Sequence, residues 1–392
     1  MRTNHSTITA CDIQIYAEML LQKHLRLKDH GPKCRASRLW TVLLYAAARI
    51  CSLAAACAAL ADAPSDTAVH DALLAGLPAF AELQRRLNRA LQGNLPKAVR
   101  RRRQPLAIDL TLIPYHGQHL HDENEIYRSQ AKSGTSHFHA YATAYVVRTG
   151  LRFTVGLTAV RKGEALTEVI RRLLEQAAKA SVRPRYLLLD RGFCSVDVIR
   201  HLQAGRRAFL MPVPRRGRAA DHPKGPSGTQ IFATWKKSGW GQYTMTNAQK
   251  RKATFAVCVK CRNRRGERGR HGREALVYAY GGGLRPSSFR WVQQTYRSRF
   301  GIETSYRQMH QARIRTCTRD PLLRLLYVGM ALVLRNVWVW FHWERLSERR
   351  GQSRRVDTRR LTFRRLLLCL QHVAELWLGV SDEIKVQQPA GT

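Results

Sequence analysis

An aspartate stands inside an apolar, strand-like run, Leu106-Ala-Ile-Asp109-Leu-Thr-Leu-Ile113. Burying an unpaired carboxylate is expensive, so an Asp within a buried strand is expected only where its charge is used. A second acid, Asp190, ends the apolar run 186–189, and a third, Glu303, lies on a stretch with a helical pattern. Because the rest of the chain is poor in acid, we interpret these three residues as a metal-binding carboxylate cluster that acts on phosphate.

The charge of the chain indicates a polyanionic partner. Its 392 residues include 67 Lys and Arg against 27 Asp and Glu, a formal net charge of +40 that is spread along the whole length. A surface this basic repels itself unless it meets a polyanion, and nucleic acid is the usual one. The hydrophobic fraction of 44% is ordinary for a folded protein, which excludes a disordered basic tail. A merely basic, soluble protein is the alternative.

Cysteine usage and hydropathy bear on the compartment. The nine cysteines form no framework and no signal peptide opens the chain, which favours a reducing cytosol. The most apolar stretch, Leu322 to Trp343, contains Arg324, Arg335 and Asn336. Charged residues at a bilayer centre cost several kcal/mol, so we predict a buried core helix and no membrane span.

The first hundred residues are predicted to be helical. Arg38 to Arg49 has the pattern of an amphipathic helix, Ser52 is placed to cap a short helix from Leu53 to Ala61, and Thr67 to Leu74 forms another after a turn. Two short helices across a tight turn are compatible with a helix-turn-helix that binds DNA, or with any small helical bundle.

The pattern changes to strands after residue 100. The predicted elements of 101–214 are strands at 106–113, 138–147 and 151–160, a helix at 163–180, a strand at 186–189, a helix at 196–202 and a strand at 208–212. That order is the one expected of an α/β, ribonuclease-H-like fold, in which acids on the first and fourth strands can meet.

Three further segments complete the predicted domain organisation. Residues 215–285 are interpreted as a β-rich insertion, because Glu303 lies beyond them and must return to the core. Residues 286–345 supply the second part of the core, with Glu303 on a helix predicted over 286–318. A basic C-terminal tail, 346–392, follows, with a closing helix from Leu361 to Leu378.

The helix that carries Glu303 has a second feature. Tyr296, Arg299, Glu303, Tyr306 and His310 are spaced by three or four residues and so share one helical face. Such a face combines a metal ligand, aromatic hydroxyls and a guanidinium that can bind a phosphate through two nitrogens. The alternative is an ordinary pair of Arg299 and Glu303, of the kind common on exposed helices.

Three motifs together carry a family resemblance. They are Ala107-Ile-Asp109-Leu-Thr111, Leu187-Leu-Leu-Asp190-Arg-Gly-Phe193 and Tyr296-x-x-Arg299-x-x-x-Glu303. With them the chain, over residues 105 to 345, resembles a DDE transposase of bacterial and archaeal insertion sequences, of the IS4-like superfamily and most of all its ISH3-type members. The family signature is normally completed by a Lys seven residues after the Glu, where this chain has His310.

The resemblance implies roles for these residues. Asp109, Asp190 and Glu303 would be catalytic and would bind two Mg²⁺ or Mn²⁺ ions. Tyr296 and Arg299 would hold DNA phosphates. His310 would contact phosphate more weakly than a Lys, because it is only partly charged near neutral pH.

On the same helix Tyr306 and Arg307 are further candidates for DNA contact, and Arg307 or Arg313 could replace the missing Lys. The resemblance also implies that the enzyme binds terminal inverted repeats and target DNA, acts as a homodimer in the synaptic complex, and works on DNA in the cytoplasm of a prokaryotic host. A nuclease of the same fold without strand transfer, and a non-catalytic DNA-binding protein derived from a transposase, are the alternatives.

Overall fold

The computed structural model describes residues 7–265, 271–350 and 353–382. The helices are α1 (Ala10–Leu25), α2 (Ala36–Arg49), α3 (Leu53–Ala59), α4 (Asp66–Gly76), α5 (Phe80–Gln92), α6 (Lys97–Arg101), α7 (Leu166–Lys179), α8 (Val196–Ala204), α9 (Phe289–Arg297), α10 (Phe300–His310), α11 (Pro321–Trp340) and α12 (Phe363–Leu378). The strands are β1 (Gln104–Pro114), β2 (Tyr127–Lys132), β3 (Thr135–Val146), β4 (Thr154–Val160), β5 (Pro184–Leu189), β6 (Phe209–Pro212), β7 (Gly239–Thr246), β8 (Lys252–Arg265), β9 (His271–Gly281), β10 (Glu348–Arg350) and β11 (Ser353–Arg355).

The chain forms a mixed α/β protein that divides into two compact units. Unit 1 comprises Met1–Pro96, Pro114–His139 and Ser305–Thr392, and unit 2 comprises Lys97–Ile113 and Ala140–Thr304. Unit 1 contains most of the helices, from both ends of the sequence, and unit 2 contains most of the sheet. The five-segment organisation drawn from the sequence stays a prediction.

The predicted buried helix is confirmed as α11 in unit 1. Among the described residues one helical segment, Pro321–Leu346, is long and apolar enough to cross a membrane, but 94% of its most apolar window is buried in the protein. Its polar side chains have partners. Asn336 Nδ2 donates to the carbonyl of Leu91 at 3.1 Å, and Arg335 Nε donates to Gln308 Oε1 at 3.1 Å. Burial within unit 1 therefore accounts for its hydropathy.

The predicted helices of the first hundred residues are also present. The Ser52 hydroxyl accepts a hydrogen bond from the backbone N–H of Ala55 at 3.1 Å, which caps α3 as expected. The helix ends at Ala59, two residues early, because Leu60 is extended and forms a β-bridge with Val380. The helix-turn-helix interpretation of α3 and α4 stays a prediction.

The sheet of unit 2 places the strands in the order β3-β1-β5-β6-β9-β8-β7, with β4 paired to β3. Strand β5 is parallel to β1 on one side and to β6 on the other, whereas β3 with β4, and β6 with β9, β8 and β7 in turn, pair antiparallel. The predicted succession of strands and helices over 106–212 is present. It contains one additional strand, β2, which pairs with the start of β3 in unit 1.

The segment 215–285 is β-rich, as expected, and its strands extend the main sheet. Strand β9 pairs with β6, for example Met211 opposite Ala279, and β8 and β7 follow outward. The sheet is therefore continuous from β6 to β7. Residues 266–270 of the basic segment Arg262 to Arg273 lie outside the described residues.

The single helix predicted over 286–318 is wrong, because the chain forms α9 and α10 with a break at Ser298 and Arg299. The Ser298 hydroxyl donates to the carbonyl of Thr295 at 2.6 Å, and the N–H of Arg299 donates to the carbonyl of Tyr296 at 2.9 Å. A hydroxyl bonded back to the preceding turn competes with the helical hydrogen bonds. Tyr296 and Glu303 consequently lie on different helices.

Gly329 gives a test of packing in unit 1. A Cβ at this position of α11 would lie 2.5 Å from Cδ1 of the buried Leu87 on α5. We expect Gly329→Ala to lower the free energy of unfolding by about 1–3 kcal/mol, as overpacking does. Urea denaturation measures this. Gly76→Ala in α4, where the nearest atom would be 3.9 Å away, is the matched control, and equal stability of the two variants would contradict the close packing.

His139 gives a test of pH dependence. Burial, with a smaller contribution from Arg324, lowers the pKa of His139 to about 3. In the unfolded chain the pKa is about 6.5, so the unfolded state binds the proton first, and stability that is complete above pH 6.5 is lost as the pH falls toward 3. We expect His139→Gln to reduce the loss of stability between pH 7 and pH 5 by up to about 2 kcal/mol. Denaturation curves at both pH values measure it, and an unchanged loss would contradict a buried neutral imidazole.

Candidate active site

The two aspartates meet because β1 and β5 are parallel neighbours. The register aligns Ile108 with Leu189, so the next residues, Asp109 and Asp190, lie side by side. Asp190 follows the last residue of β5, at the edge where ligands of parallel sheets commonly bind. The fold therefore places these two acids next to each other.

Glu303 completes the group of acids through Arg299. Arg299 Nη1 lies 2.9 Å from Asp109 Oδ2, while Nη2 lies 3.3 Å from Asp190 Oδ1 and 2.7 Å from Glu303 Oε1. One guanidinium therefore bridges three carboxylates from three segments of the chain. The pair of Arg299 and Glu303 that is common on helices is present, but it is part of this larger cluster.

The cluster is buried on one side and open on the other. The side chains of Arg299 and Asp109 are 5% and 14% exposed, whereas those of Asp190 and Glu303 are 41% and 46% exposed. Asp109 Oδ1 also accepts a hydrogen bond from the N–H of Leu110 at 2.9 Å, which fixes the carboxylate in the strand. A ligand from solvent would thus reach Asp190 and Glu303 first.

Burial dominates the electrostatics of the cluster. It raises the pKa of Asp109 to about 6, against the lowering effect of Arg299 and with a further raising effect of Asp190. Burial also disfavours the charge of Arg299, but Tyr296 and the three carboxylates outweigh it and raise the pKa of the guanidinium. The Arg is therefore a permanent cation, and the acids around it carry more negative charge than it neutralises.

Aromatic rings hold the guanidinium from the side. Arg299 Cζ lies 5.4 Å from the ring centroid of Tyr296 and 5.6 Å from that of Phe300, within the range of cation–π contacts. Tyr296 is itself buried and packs on Tyr278, with ring centroids 5.3 Å apart. Burial raises the pKa of the Tyr296 hydroxyl, so that it stays protonated.

The other residues predicted to contact DNA lie in the second half of α10, which belongs to unit 1. Tyr306 is buried, and Arg307 and His310 are exposed. Partial burial of its ring, followed by the charges of Arg313 and Lys132, lowers the pKa of His310, so the imidazole is neutral near pH 7. His310 therefore does not supply the permanent positive charge of a Lys.

The acid cluster has ligands that suit a divalent cation, although its centre is occupied by Arg299. Among the described residues no group of three or more His, Cys, Asp and Glu side chains is arranged to hold an ion, and the three acids surround a guanidinium instead. The chemistry of the donors nevertheless fits, because carboxylate oxygens are the ligands that Mg²⁺ prefers. They also converge on a point that already holds a cation.

Comparison with known proteins identifies the class. A family model described as "Transposase DDE domain" matches residues 100–336, more than half of the chain. The chain therefore belongs to the DDE transposase family, which is a family of DNA transposases. No curated protein matches the sequence.

A solved structure shows a similar fold. It is a cryo-EM structure of a piggyBac transposase synaptic complex with hairpin DNA. The match covers 98% of this chain and 77% of the piggyBac chain, with a TM-score of 0.50 and 12% sequence identity. At this identity the similarity concerns the fold alone. The mixed sheet with helices from both ends of the sequence is thus a transposase-like arrangement.

Two features of the site were not predicted from the sequence. Arg299 was expected to bind phosphate through two nitrogens, but both terminal nitrogens are bonded to acids. Phe300 is outside the sequence motif, although its ring lies beside the guanidinium and is 47% exposed. The sequence signal for Phe300 is its position directly after Arg299.

Tyr296→Phe and Tyr296→Ala separate the contribution of the Tyr296 ring to stability from that of its hydroxyl. The Phe ring keeps the aromatic surface beside Arg299, so we expect the free energy of unfolding to change by less than about 1.5 kcal/mol. Tyr296→Ala removes a buried ring and should cost about 3–5 kcal/mol. Denaturation curves compare the two variants, and equal losses would contradict the packing role of the ring.

Proposed function

We propose that this protein is the transposase of an insertion sequence, which binds the terminal inverted repeats of its element, cleaves the strand at each end and joins the ends to target DNA by cut-and-paste transposition. The convergence of Asp109, Asp190 and Glu303 carries the proposal. Each acid comes from a different segment of the chain, and all three contact one guanidinium. Their exposed side faces solvent, where a phosphodiester can approach.

The strand order supports a ribonuclease-H-like core. The strands lie in the order β4-β3-β1-β5-β6, with β1 parallel to β5. In a ribonuclease-H-like fold the first and fourth strands are neighbours and carry acids. In the proposed core β1 and β5 are these two strands. The three sequence motifs favour the IS4-like superfamily and its ISH3-type members. Both assignments are part of the proposal.

The proposed chemistry assigns a role to each residue of the cluster. Asp109, Asp190 and Glu303 would hold Mg²⁺ or Mn²⁺, two ions in each site. Such ions activate the attacking water or hydroxyl and stabilise the leaving oxygen. The hydrogen bond from Leu110 fixes Asp109. Tyr296 orients Arg299, whose guanidinium binds the phosphate beside the cleaved bond once the acids release it.

The fourth position of the family signature differs in this chain. His310 is neutral near pH 7, as its lowered pKa requires, so a phosphate contact there would be a hydrogen bond and not an ion pair. Arg307 and Arg313 are the nearest permanent cations in the sequence. We propose that one of them replaces the charge of the missing Lys, and that Tyr306 positions this part of α10.

The charge of the chain supports double-stranded DNA as the partner. A net charge of +40 gives a strong, salt-dependent attraction to the phosphate backbone. The similar piggyBac structure is a synaptic complex with hairpin DNA, and we propose that this chain likewise brings two DNA ends together, as a homodimer. It would act on DNA in the cytoplasm of a prokaryotic host, and α3 and α4 would bind the inverted repeats.

Mapping of DNA cleavage tests the proposal. Purified protein is incubated with Mg²⁺ and linear DNA that carries the gene with its native flanks, and cuts are located to the nucleotide. We expect discrete cuts at paired inverted repeats, lowered about 100-fold or more by Asp190→Asn, because loss of a metal ligand removes several kcal/mol of transition-state stabilisation. Asp197→Asn on α8, an exposed acid paired with Arg251, is the matched control.

The products separate the alternatives. Joined products with a second DNA indicate strand transfer, whereas cuts without joining indicate a nuclease of the same fold. Cuts that persist in Asp190→Asn would refute the catalytic assignment. DNA binding without any cuts would leave a DNA-binding protein derived from a transposase.

A further inference from the structure

We propose that Arg299 couples the binding of divalent cations to the binding of DNA. In the absence of both, its guanidinium joins Asp109, Asp190 and Glu303. When a divalent cation takes its place among the acids, the guanidinium is released to a DNA phosphate. This inference rests on the proposed function of the acid cluster, and it concerns the side chain of Arg299 rather than the acids themselves.

The burial of Arg299 and its contacts with the acids favour such an exchange. Its two terminal nitrogens are both bonded to carboxylates, and its Nε is buried without a hydrogen-bond partner among the described residues. A phosphate that binds through two nitrogens needs at least one of these terminal groups. The guanidinium is also only 5% exposed, so a phosphate from solvent does not reach two of its nitrogens while it bridges all three acids.

The charges of the cluster favour a second cation. Three ionised carboxylates against one guanidinium leave two excess negative charges in a site where Asp109 is largely buried. A divalent cation neutralises more of this charge than the guanidinium does, and it uses the same oxygens. The two cations consequently compete for one set of ligands.

The surroundings of Arg299 allow its side chain to move. The residue lies at the break between α9 and α10, outside the regular hydrogen bonding of either helix. Phe300 adjoins the guanidinium and is 47% exposed, so its ring offers a surface that leads from the buried cluster to solvent. A guanidinium can stay in contact with aromatic faces on this path.

The exchange predicts a positive linkage between divalent-cation binding and DNA binding. A DNA phosphate that binds the released guanidinium removes the competitor of the divalent cation. DNA should therefore tighten cation binding, and by reciprocity the cation should tighten DNA binding by the same factor. In a variant without Arg299 the divalent cation should bind tightly even without DNA, and the effect of DNA on cation affinity that depends on Arg299 should be lost.

Mn²⁺ binding to the full-length protein tests the inference. Free Mn²⁺ is measured by electron paramagnetic resonance, with and without a short duplex from the native flank of the gene, before cleavage proceeds. For the natural sequence we expect the duplex to raise Mn²⁺ affinity by about tenfold, within the usual range of such coupling. For Arg299→Gln we expect Mn²⁺ to bind about tenfold more tightly without DNA, and the duplex to add less than twofold.

Three further variants complete the design. Arg297→Gln makes the same substitution two residues away, on an exposed position, and should behave like the natural sequence. Arg299→Lys keeps the charge but loses the planar guanidinium that contacts three acids at the same time. Its Mn²⁺ affinity should therefore lie between those of the natural sequence and Arg299→Gln. Asp190→Asn should abolish Mn²⁺ binding at the cluster. Thermal unfolding without Mn²⁺ verifies that each variant is folded.

The outcomes distinguish the inference from the proposed function. If Mn²⁺ binding is lost in Asp190→Asn but is unchanged or weakened in both Arg299 variants, Arg299 is only structural and the inference is wrong while the function stands. If Asp190→Asn binds Mn²⁺ like the natural sequence, the acids are not its site, and the proposed function itself fails. Tighter binding in Arg299→Gln without any effect of DNA on the natural sequence would also overturn the coupling.

Discussion

The ion pairs of Arg299 are the interaction on which the candidate site depends. Asp109 is largely buried in the second half of β1, where an unpaired carboxylate would be unstable. Arg299, which is 190 residues later in the chain, supplies the compensating charge, and it reaches Asp190 and Glu303 at the same time. A single side chain thus connects the central strands to α10, and loss of one partner would leave the others with uncompensated charge.

Some residues of this cluster are fixed by their neighbours and others are exposed, and this combination suits a site that exchanges cations. Asp109 is fixed by the strand and by a backbone hydrogen bond, and Tyr296 is buried against Tyr278. Asp190 and Glu303 are nearly half exposed, and Arg299 lies where helical hydrogen bonding is interrupted. The fixed members define the position of the site, and the accessible ones can exchange partners. A preorganised but solvent-facing set of ligands is what metal-assisted phosphoryl chemistry requires.

Unit 1 shows how the same chain manages buried polar groups where no chemistry is proposed. Arg335 and Asn336 lie in the most apolar helix, and each has a hydrogen-bond partner within the unit. Both side chains are buried, so these bonds are made away from solvent. In unit 2, by contrast, Asp190 and Glu303 remain partly exposed around Arg299. The open acid cluster is the structural reason to locate the proposed cleavage chemistry in unit 2.

The sequence alone determined the local elements and the identity of the acids. Periodicity and capping residues predicted α2, α3, α11 and the strand of Asp109, since these depend on neighbours in the chain. The sequence alone could not determine the break at Ser298, where the hydroxyl donates to the backbone carbonyl of Thr295. Nor could it determine the partners of Arg299. The Arg–Glu spacing predicted only the pair within the helix. The contacts of Arg299 with Asp109 and Asp190 exist because the register of β1 and β5 and the position of α10 bring together residues that are far apart in sequence. Only the tertiary structure decides the distances between such residues.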